Sequence, residues 1–357
     1  MKIFLISNLY PSESDRDYGI FVRNIEYELE KLGAKIVHKA VISGRSKSKE
    51  DKVKKYKTFY SQIIAAYRKD DFDLIYLHFL SHSSPGLLMA RALFGKKRKF
   101  VINVHGSDVL KFNKGILKWC NHKLLRETDL LVVPSHYFKQ IIIDAFPQFS
   151  PQKIFVSPSG GIDFSIFKRE NYNKAEVLHL GFVSRIEDDK GWKTFLDALL
   201  QLKEIGMPFK ASIAGRGSKV AEMKVFIEEN NLKEHVRYLD ILSHQELNVL
   251  YNDLDLFIFP TKSSESLGLV GLEAMACGVP VIGSEIAGLK TFIEDGKNGY
   301  FISPGNETEL VEKIKKFNGL SAQEQNLISE AAIQTAKKYD RKKVAADLYR
   351  KFQQLLP

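Results

Sequence analysis

Short, almost wholly apolar runs alternate along the chain with longer stretches whose apolar residues recur at helical spacing. This alternation predicts parallel sheets wound on both sides by helices. The first series of runs covers residues 3–6, 36–37, 74–77, 100–104, 130–133 and 154–156. A second covers 177–180, 211–214, 236–239, 256–259 and 279–282. Between the series, residues 162–175 are polar and lack periodicity, which places a linker there. The expected fold is α/β, with two doubly wound parallel-sheet domains over residues 1–165 and 176–338, each able to bury a core of its own within 357 residues. Residues 341–355 read as a terminal helix after the last strand.

Composition narrows the function classes. With 44% apolar and 27% charged residues the chain is of globular type. No apolar run reaches the roughly 18 residues that span a bilayer, and residues 1–6 read as a first strand, not a signal peptide. Cys120 and Cys277 are far apart and have no metal-ligand spacing, which predicts a reducing, cytoplasmic setting without disulfides. The net charge of +10 is lopsided: residues 1–175 hold 30 Lys/Arg against 17 Asp/Glu, and the remainder 23 against 26. Basic residues gather between Arg45 and Lys57 and at Lys96-Lys97-Arg98-Lys99. These runs are either solvated loops or a surface for an anionic partner, such as a phospholipid leaflet. No basic motif interleaved with aromatics supports nucleic acid, and no nucleic-acid partner is expected.

Sheets of this type bind ligands beyond the carboxyl ends of their strands. By that rule Asp71 and Asp73, and likewise Asp253 and Asp255, lie on the wrong side, because each pair precedes its strand. No metal site and no cofactor is therefore expected. The strongest signal runs from Pro260 to Pro280, where Glu265 and Glu273 stand eight positions apart, one in a loop and the other in the helix that it feeds. A helix starting near Gly268 would aim free N–H groups of Ser266-Leu267-Gly268-Leu269 at phosphate oxygens, and glycine would let the ligand approach. Glu273 could accept hydrogen bonds from a ribose diol, and Glu265 could reach hydroxyls of a sugar. After the strand at 177–180 come Arg185, a planar fork for phosphate, and Lys190, a mobile point charge. Gly215-Arg216-Gly217 is either a turn or a cradle for the nucleotide.

Together these motifs resemble glycosyltransferase family 4, retaining enzymes of the GT-B fold whose two Rossmann-like domains face each other across a cleft. The resemblance covers nearly the whole chain. It rests on the Glu265/Glu273 pair, Ser184-Arg185 with Lys190-Gly191, His105-Gly106-Ser107-Asp108, and Pro158-Ser159-Gly160-Gly161-Ile162-Asp163. It implies that Arg185 and Lys190 hold a donor diphosphate, that Gly215 and residues 266–269 line the donor, that Glu273 takes the ribose and Glu265 the transferred sugar, and that His105 faces that sugar. It also implies that Tyr18, Gly19 and Asp108 border the acceptor and donor, and that residues 339–357 pack back on the first domain. Two departures stand out: the N-terminal loop holds one glycine where two are frequent, and Ala287-Gly288-Leu289-Lys290-Thr291 lacks the Pro and Glu common in the family.

The implied reaction moves a sugar from a UDP- or GDP-sugar to an acceptor hydroxyl on a glycan or lipid-linked carrier, with retention at the anomeric carbon. The departing phosphate would take the acceptor proton while Arg185 and Lys190 spread the charge. A nucleotide-sugar epimerase and a non-catalytic partner subunit are the alternatives. A basic first domain fits an enzyme peripheral on the inner face of the cell membrane.

Overall fold

The computed structural model describes residues 1–15, 18–95, 98–106, 115–170 and 177–356, with residues 115 and 116 described for backbone alone. Two compact units emerge: Met1–Gly161 with Arg341–Pro357, and Ile162–Asp340.

In the first unit the elements are β1 (Lys2–Tyr10), α1 (Ile20–Lys31), β2 (Lys35–Ser43), α2 (Lys49–Lys69), β3 (Leu74–His78), α3 (Leu80–Phe94), β4 (Lys99–Asn103), α4 (Gly115–Glu127), β5 (Leu130–Val133), α5 (His136–Ala145) and β6 (Ile154–Val156). The strands make one parallel sheet in the order β2-β1-β3-β4-β5-β6. Alternate residues of the same strands serve two cores. Phe4, Ile6, Ile75, Leu77, Phe100 and Ile102 pack with Phe59, Ile63, Leu87 and Leu124 of the helices on one face. Ile3, Leu5, Leu74, Tyr76 and Val101 pack with Val22, Ile25 and Leu29 of α1 on the other. Burial on both faces explains why the inner strands β3, β4 and β5 read as unbroken apolar runs, whereas the edge strand β2 exposes Lys35 and Lys39.

The second unit repeats the plan with β7 (Leu178–Val183), α6 (Trp192–Glu204), β8 (Phe209–Ala214), α7 (Val220–Glu229), β9 (Val236–Tyr238), α8 (His244–Asn252), β10 (Leu256–Phe259), α9 (Leu269–Ala276), β11 (Val281–Ser284), β12 (Gly299–Ile302), α10 (Glu307–Asn318) and α11 (Ala322–Lys337). Its parallel sheet has the order β12-β11-β10-β7-β8-β9. The edge strand β12 escapes the sequence pattern: it is four residues long and opens on a glycine, too short to establish a period. Its register is set by β11 alone, from Val281 opposite Gly299 to Ser284 opposite Ile302.

The last helix, α12 (Arg341–Gln353), belongs to the first unit. Leu348 and Phe352 complete the α1 face of the first sheet, and the Phe352 ring meets Tyr76 edge-on at 4.9 Å. Among the described residues no helix is long and apolar enough to cross a membrane.

Candidate active site

At the carboxyl edge of the second sheet, the loops that follow β7 and β10 are laced together. Asp189 is the knot: its carbonyl accepts from the Lys262 N–H at 2.8 Å and from Thr261 Oγ1 at 3.1 Å, and its carboxylate accepts from Ser263 Oγ at 2.7 Å. Burial pulls the Asp189 carboxyl upward, but the Ser263 hydrogen bond and the charges of Lys190 and Arg185 outweigh it and hold the group below its ordinary value. Gly191 is what lets the backbones touch. With φ +79°, it lies where a Cβ would sit 1.9 Å from the Pro260 carbonyl oxygen.

This lacing delivers Lys190 to Glu265. The ammonium of Lys190 is 2.7 Å from Glu265 Oε1 and 3.4 Å from Asp189 Oδ2, and its side chain is only 10% exposed. A cation so enclosed has few solvent molecules left to compete with an anionic ligand. Immediately after Glu265 the chain turns through Ser266 and the buried Leu267 into Gly268, which caps α9 at φ +87°. No side chain caps that helix; the Gly271 N–H turns back to the Gly268 carbonyl at 3.0 Å, and a helix start of this kind can hold an anionic ligand on its first N–H groups. The 287–291 turn braces the same segment: the Gly288 N–H donates to the Glu265 carbonyl at 3.1 Å. The departure from the family pattern at 287–291 therefore still leaves the Glu265 loop backed.

Glu273 is the fifth residue of α9. Its Oε2 accepts from the Tyr251 hydroxyl at 3.3 Å, and burial pushes its pKa from the ordinary 4.5 up to about 7, against the downward pull of that hydrogen bond. Arg185 is exposed and its side chain has neither a hydrogen bond nor an ion pair among the described residues. Gly215 ties the loops after β8 and β9 together. Its amide donates to the Asp240 carbonyl at 2.7 Å and a Cβ there would lie 1.9 Å from the Ser184 carbonyl oxygen, while Arg216 grips the Asp240 carboxylate at 2.5 and 3.1 Å. Lys190, Glu265 and the 266–269 turn are thus brought together, Gly215 backs the Ser184-Arg185 loop, and Glu273 stands within the helix that the turn opens.

The carboxyl edge of the first sheet has a different chemistry. Gly19 caps α1 at φ +71°, where any Cβ would lie 2.5 Å from the Leu9 carbonyl carbon. Beside it the Tyr18 ring lies under the Arg45 guanidinium at 5.3 Å. His105 follows β4 and is walled by the rings of Phe21 and Phe79, at 4.7 and 4.4 Å. Desolvation there pushes its pKa down to about 3. His78, at the end of β3, stacks on it with ring planes 10° apart. Ser107 and Asp108 lie outside the described residues. Sequence reasoning missed His78, although it directly follows an apolar run and the carboxyl-end rule points to it.

The paired aspartates sit at the opposite edges. Asp73 accepts from the Lys2 N–H at 2.8 Å and Asp255 from the His179 N–H at 2.8 Å, each at the start of a strand. Among the described residues no three His, Cys, Asp or Glu side chains gather into a group that could hold a metal ion.

Two family models account for most of the chain: Glycosyl transferases group 1 matches residues 163–334, and Glycosyltransferase Family 4 matches residues 20–163. The chain belongs to glycosyltransferase family 4. Among its relatives, a Klebsiella pneumoniae chain described as an uncharacterized 41.2 kDa protein in the cps region is 29% identical over 265 residues, 70% of each chain. WcaL of Escherichia coli K12, a glycosyltransferase named for colanic acid biosynthesis, is 27% identical over 179 residues, 48% of this chain and 44% of that protein. Anabaena HepE, solved in complex with UDP and glucose, superposes with a TM-score of 0.75 at 18% identity, over 99% of this chain and 100% of that one. The two sheets are accordingly the two Rossmann-like domains of a GT-B glycosyltransferase.

Proposed function

We propose that this family 4 enzyme is a retaining, metal-independent hexosyltransferase that passes a sugar from a UDP- or GDP-sugar to an acceptor hydroxyl in the assembly of a surface glycan. The observation that carries the reading is the enclosed Lys190–Glu265 pair beside the uncapped start of α9. A diphosphate seated there meets a desolvated cation and helix N–H groups, and both interact more strongly as negative charge builds on the leaving oxygen. Arg185, exposed and unengaged among the described residues, adds a bidentate grip. As the diphosphate takes the ammonium, Glu265 is released to accept from hydroxyls of the transferred sugar, and Glu273 accepts from the ribose diol.

In the chemical step the bond between the anomeric carbon and the phosphate oxygen breaks, and a bond to the acceptor oxygen forms on the same face. The acceptor proton passes to the departing phosphate. The UDP and glucose held by HepE support a UDP-sugar donor, and the naming of the Escherichia relative for colanic acid biosynthesis supports a glycan acceptor.

The first unit is assigned the acceptor side through Tyr18 and Asp108, while Gly19 borders the donor and His105 acts in catalysis, facing the transferred sugar. A lipid-linked acceptor on the cytoplasmic leaflet suits its surface: Lys52, Lys54 and Lys57 on α2 are exposed, as is Trp119 on α4, a residue type that favours membrane interfaces. Lys55 is excluded from that surface, because its ammonium ties the carbonyls of Ser43, Gly44 and Arg45.

A nucleotide-release assay with a panel of UDP- and GDP-sugars, run with and without acceptor glycolipids, tests the reading. Acceptor-dependent release and a product with the donor's anomeric configuration are expected. Donor turnover without release would point to epimerisation, and binding without either to a silent subunit.

A further inference from the structure

The two stacked imidazoles at the carboxyl edge of the first sheet hold information about proton placement. His78 Nδ1 and His105 Nε2 are 3.0 Å apart, a hydrogen-bond distance, so one N–H lies between them. His78 is fully buried, and its other nitrogen, Nε2, is enclosed with no hydrogen-bond partner among the described residues. A neutral imidazole has one N–H and one bare nitrogen. If His105 donated, His78 would accept at Nδ1 and carry its own proton on Nε2, leaving an orphaned N–H in the interior. If His78 donates, the group left over is a lone pair. Buried donors without partners are the rarer outcome in folded proteins, so the second arrangement prevails.

We propose that His78 is a positioning residue that donates from Nδ1–H to His105 Nε2 and thereby fixes His105 as the tautomer protonated on Nδ1. The stacking geometry adds a second constraint, since the near-parallel ring holds the His105 plane between Phe21 and Phe79. Both rings stay uncharged at neutral pH, because burial lowers both pKa values and His105 adds to the lowering at His78. A neutral His105 with its proton on Nδ1 can donate to a sugar hydroxyl or to growing negative charge. From that nitrogen it cannot accept a proton, which leaves the departing phosphate as the base. This inference rests on the catalytic role of His105 facing the transferred sugar, and the following measurements separate the two.

In the intact protein with ¹⁵N-labelled histidine, the His105 Nε2 resonance is expected in the unprotonated range and Nδ1 in the protonated range, unchanged between pH 6 and 8. A protonated Nε2 in the wild type would overturn the assignment without any substitution. His78→Phe keeps an aromatic filler but no donor. It should turn His105 into a tautomer mixture and lower kcat roughly 10- to 100-fold, by analogy with the loss of an orienting partner from a metal-bound histidine, with little change in donor KM. His78→Asn restores an N–H near the Nδ1 position and should recover the single tautomer and part of kcat, whereas His78→Gln, whose amide reaches the Nε2 position, should not. An unaltered His105 tautomer in His78→Phe sinks the proposal. Full turnover in His105→Ala would instead remove the role of His105 while leaving the tautomer result standing.

Discussion

The carboxyl edges of the two sheets are built from the same kind of strand-to-helix junction, yet their chemistry is opposite. The edge of the second sheet is ionic and cross-braced: Lys190, Glu265 and Asp189 form one cluster, tied by Thr261, Ser263 and the Lys262 backbone. Among the described residues the edge of the first sheet is neutral and aromatic around His105, with two uncharged histidines beside phenylalanines, and its Arg45–Asp15 ion pair lies apart, next to Tyr18. A diphosphate requires fixed cations, whereas a sugar hydroxyl requires only oriented neutral donors, so this difference in charge suits the donor and acceptor roles proposed for the two edges.

The sharpest way to break this contrast is to remove the cation. Lys190→Ala should lower turnover by about 10²- to 10³-fold, the range for one lost charge-stabilising donor, and Arg185→Ala in the same direction. Glu265→Gln on the Lys190→Ala background should cost less than it does alone, because the pair acts as a unit. Additive losses in steady-state kinetics would show that the contact at 2.7 Å has no functional coupling.

The bracing is tested at Gly191. Alanine there meets the Pro260 carbonyl at 1.9 Å in a left-handed conformation, and we expect a loss of roughly 1–3 kcal/mol or more in urea unfolding. Gly206 has a similar φ of +70° but open space around it, so Gly206→Ala isolates the conformational part of the effect and should lower stability less. Equal losses at the two sites would mean that the loops are not held in register by that contact.

Glu273 predicts a pH dependence with opposite signs in the free and bound states. Its folded pKa is raised to about 7, so between about pH 4.5 and 7 the folded state keeps a proton that the unfolded chain gives up. Stability is therefore lost as pH rises through that window, and Glu273→Gln should raise the melting temperature at pH 8 relative to wild type but not at pH 4.5. Ribose hydroxyls favour the ionised carboxylate, so donor affinity in wild type should increase as pH rises from 6 to 8, by up to about tenfold per unit of pKa moved on binding. A pH-independent Kd in titration calorimetry would remove Glu273 from the ribose.

The smallest expected effect is at the surface. Reversing Lys52, Lys54 and Lys57 to Glu should reduce flotation with anionic vesicles at low salt, since each lysine contributes on the order of 1 kcal/mol near such a leaflet, while turnover on a soluble acceptor is unaffected. Unchanged flotation would assign the basic residues to solvation alone.

Much of this was legible in the sequence, and the reason differs by level. Strands buried on both faces announce themselves as runs such as 130–133, and the candidate site segment is readable because Glu265, Gly268 and Glu273 lie on one continuous loop and helix. What escaped was set by pairing across the fold. Nothing near Lys190 in the chain indicates that its partner is Glu265, and Tyr251 reaches Glu273 only because α8 packs against α9. β12 was lost for want of length, and the role of His78 depends on β3 and β4 being neighbours in the sheet, an order the chain does not spell out.

The placement of α12 has a consequence for how the protein is made. The polypeptide leaves its first unit after Gly161 and returns to it only at Arg341, so Leu348 and Phe352 reach Val22, Leu29 and Tyr76 after everything between has been synthesised. Until then one flank of the nascent first sheet lacks its cover and exposes apolar surface to the ribosome's surroundings. A stop codon before residue 341 should therefore yield an aggregating product, although every strand of both sheets would still be encoded.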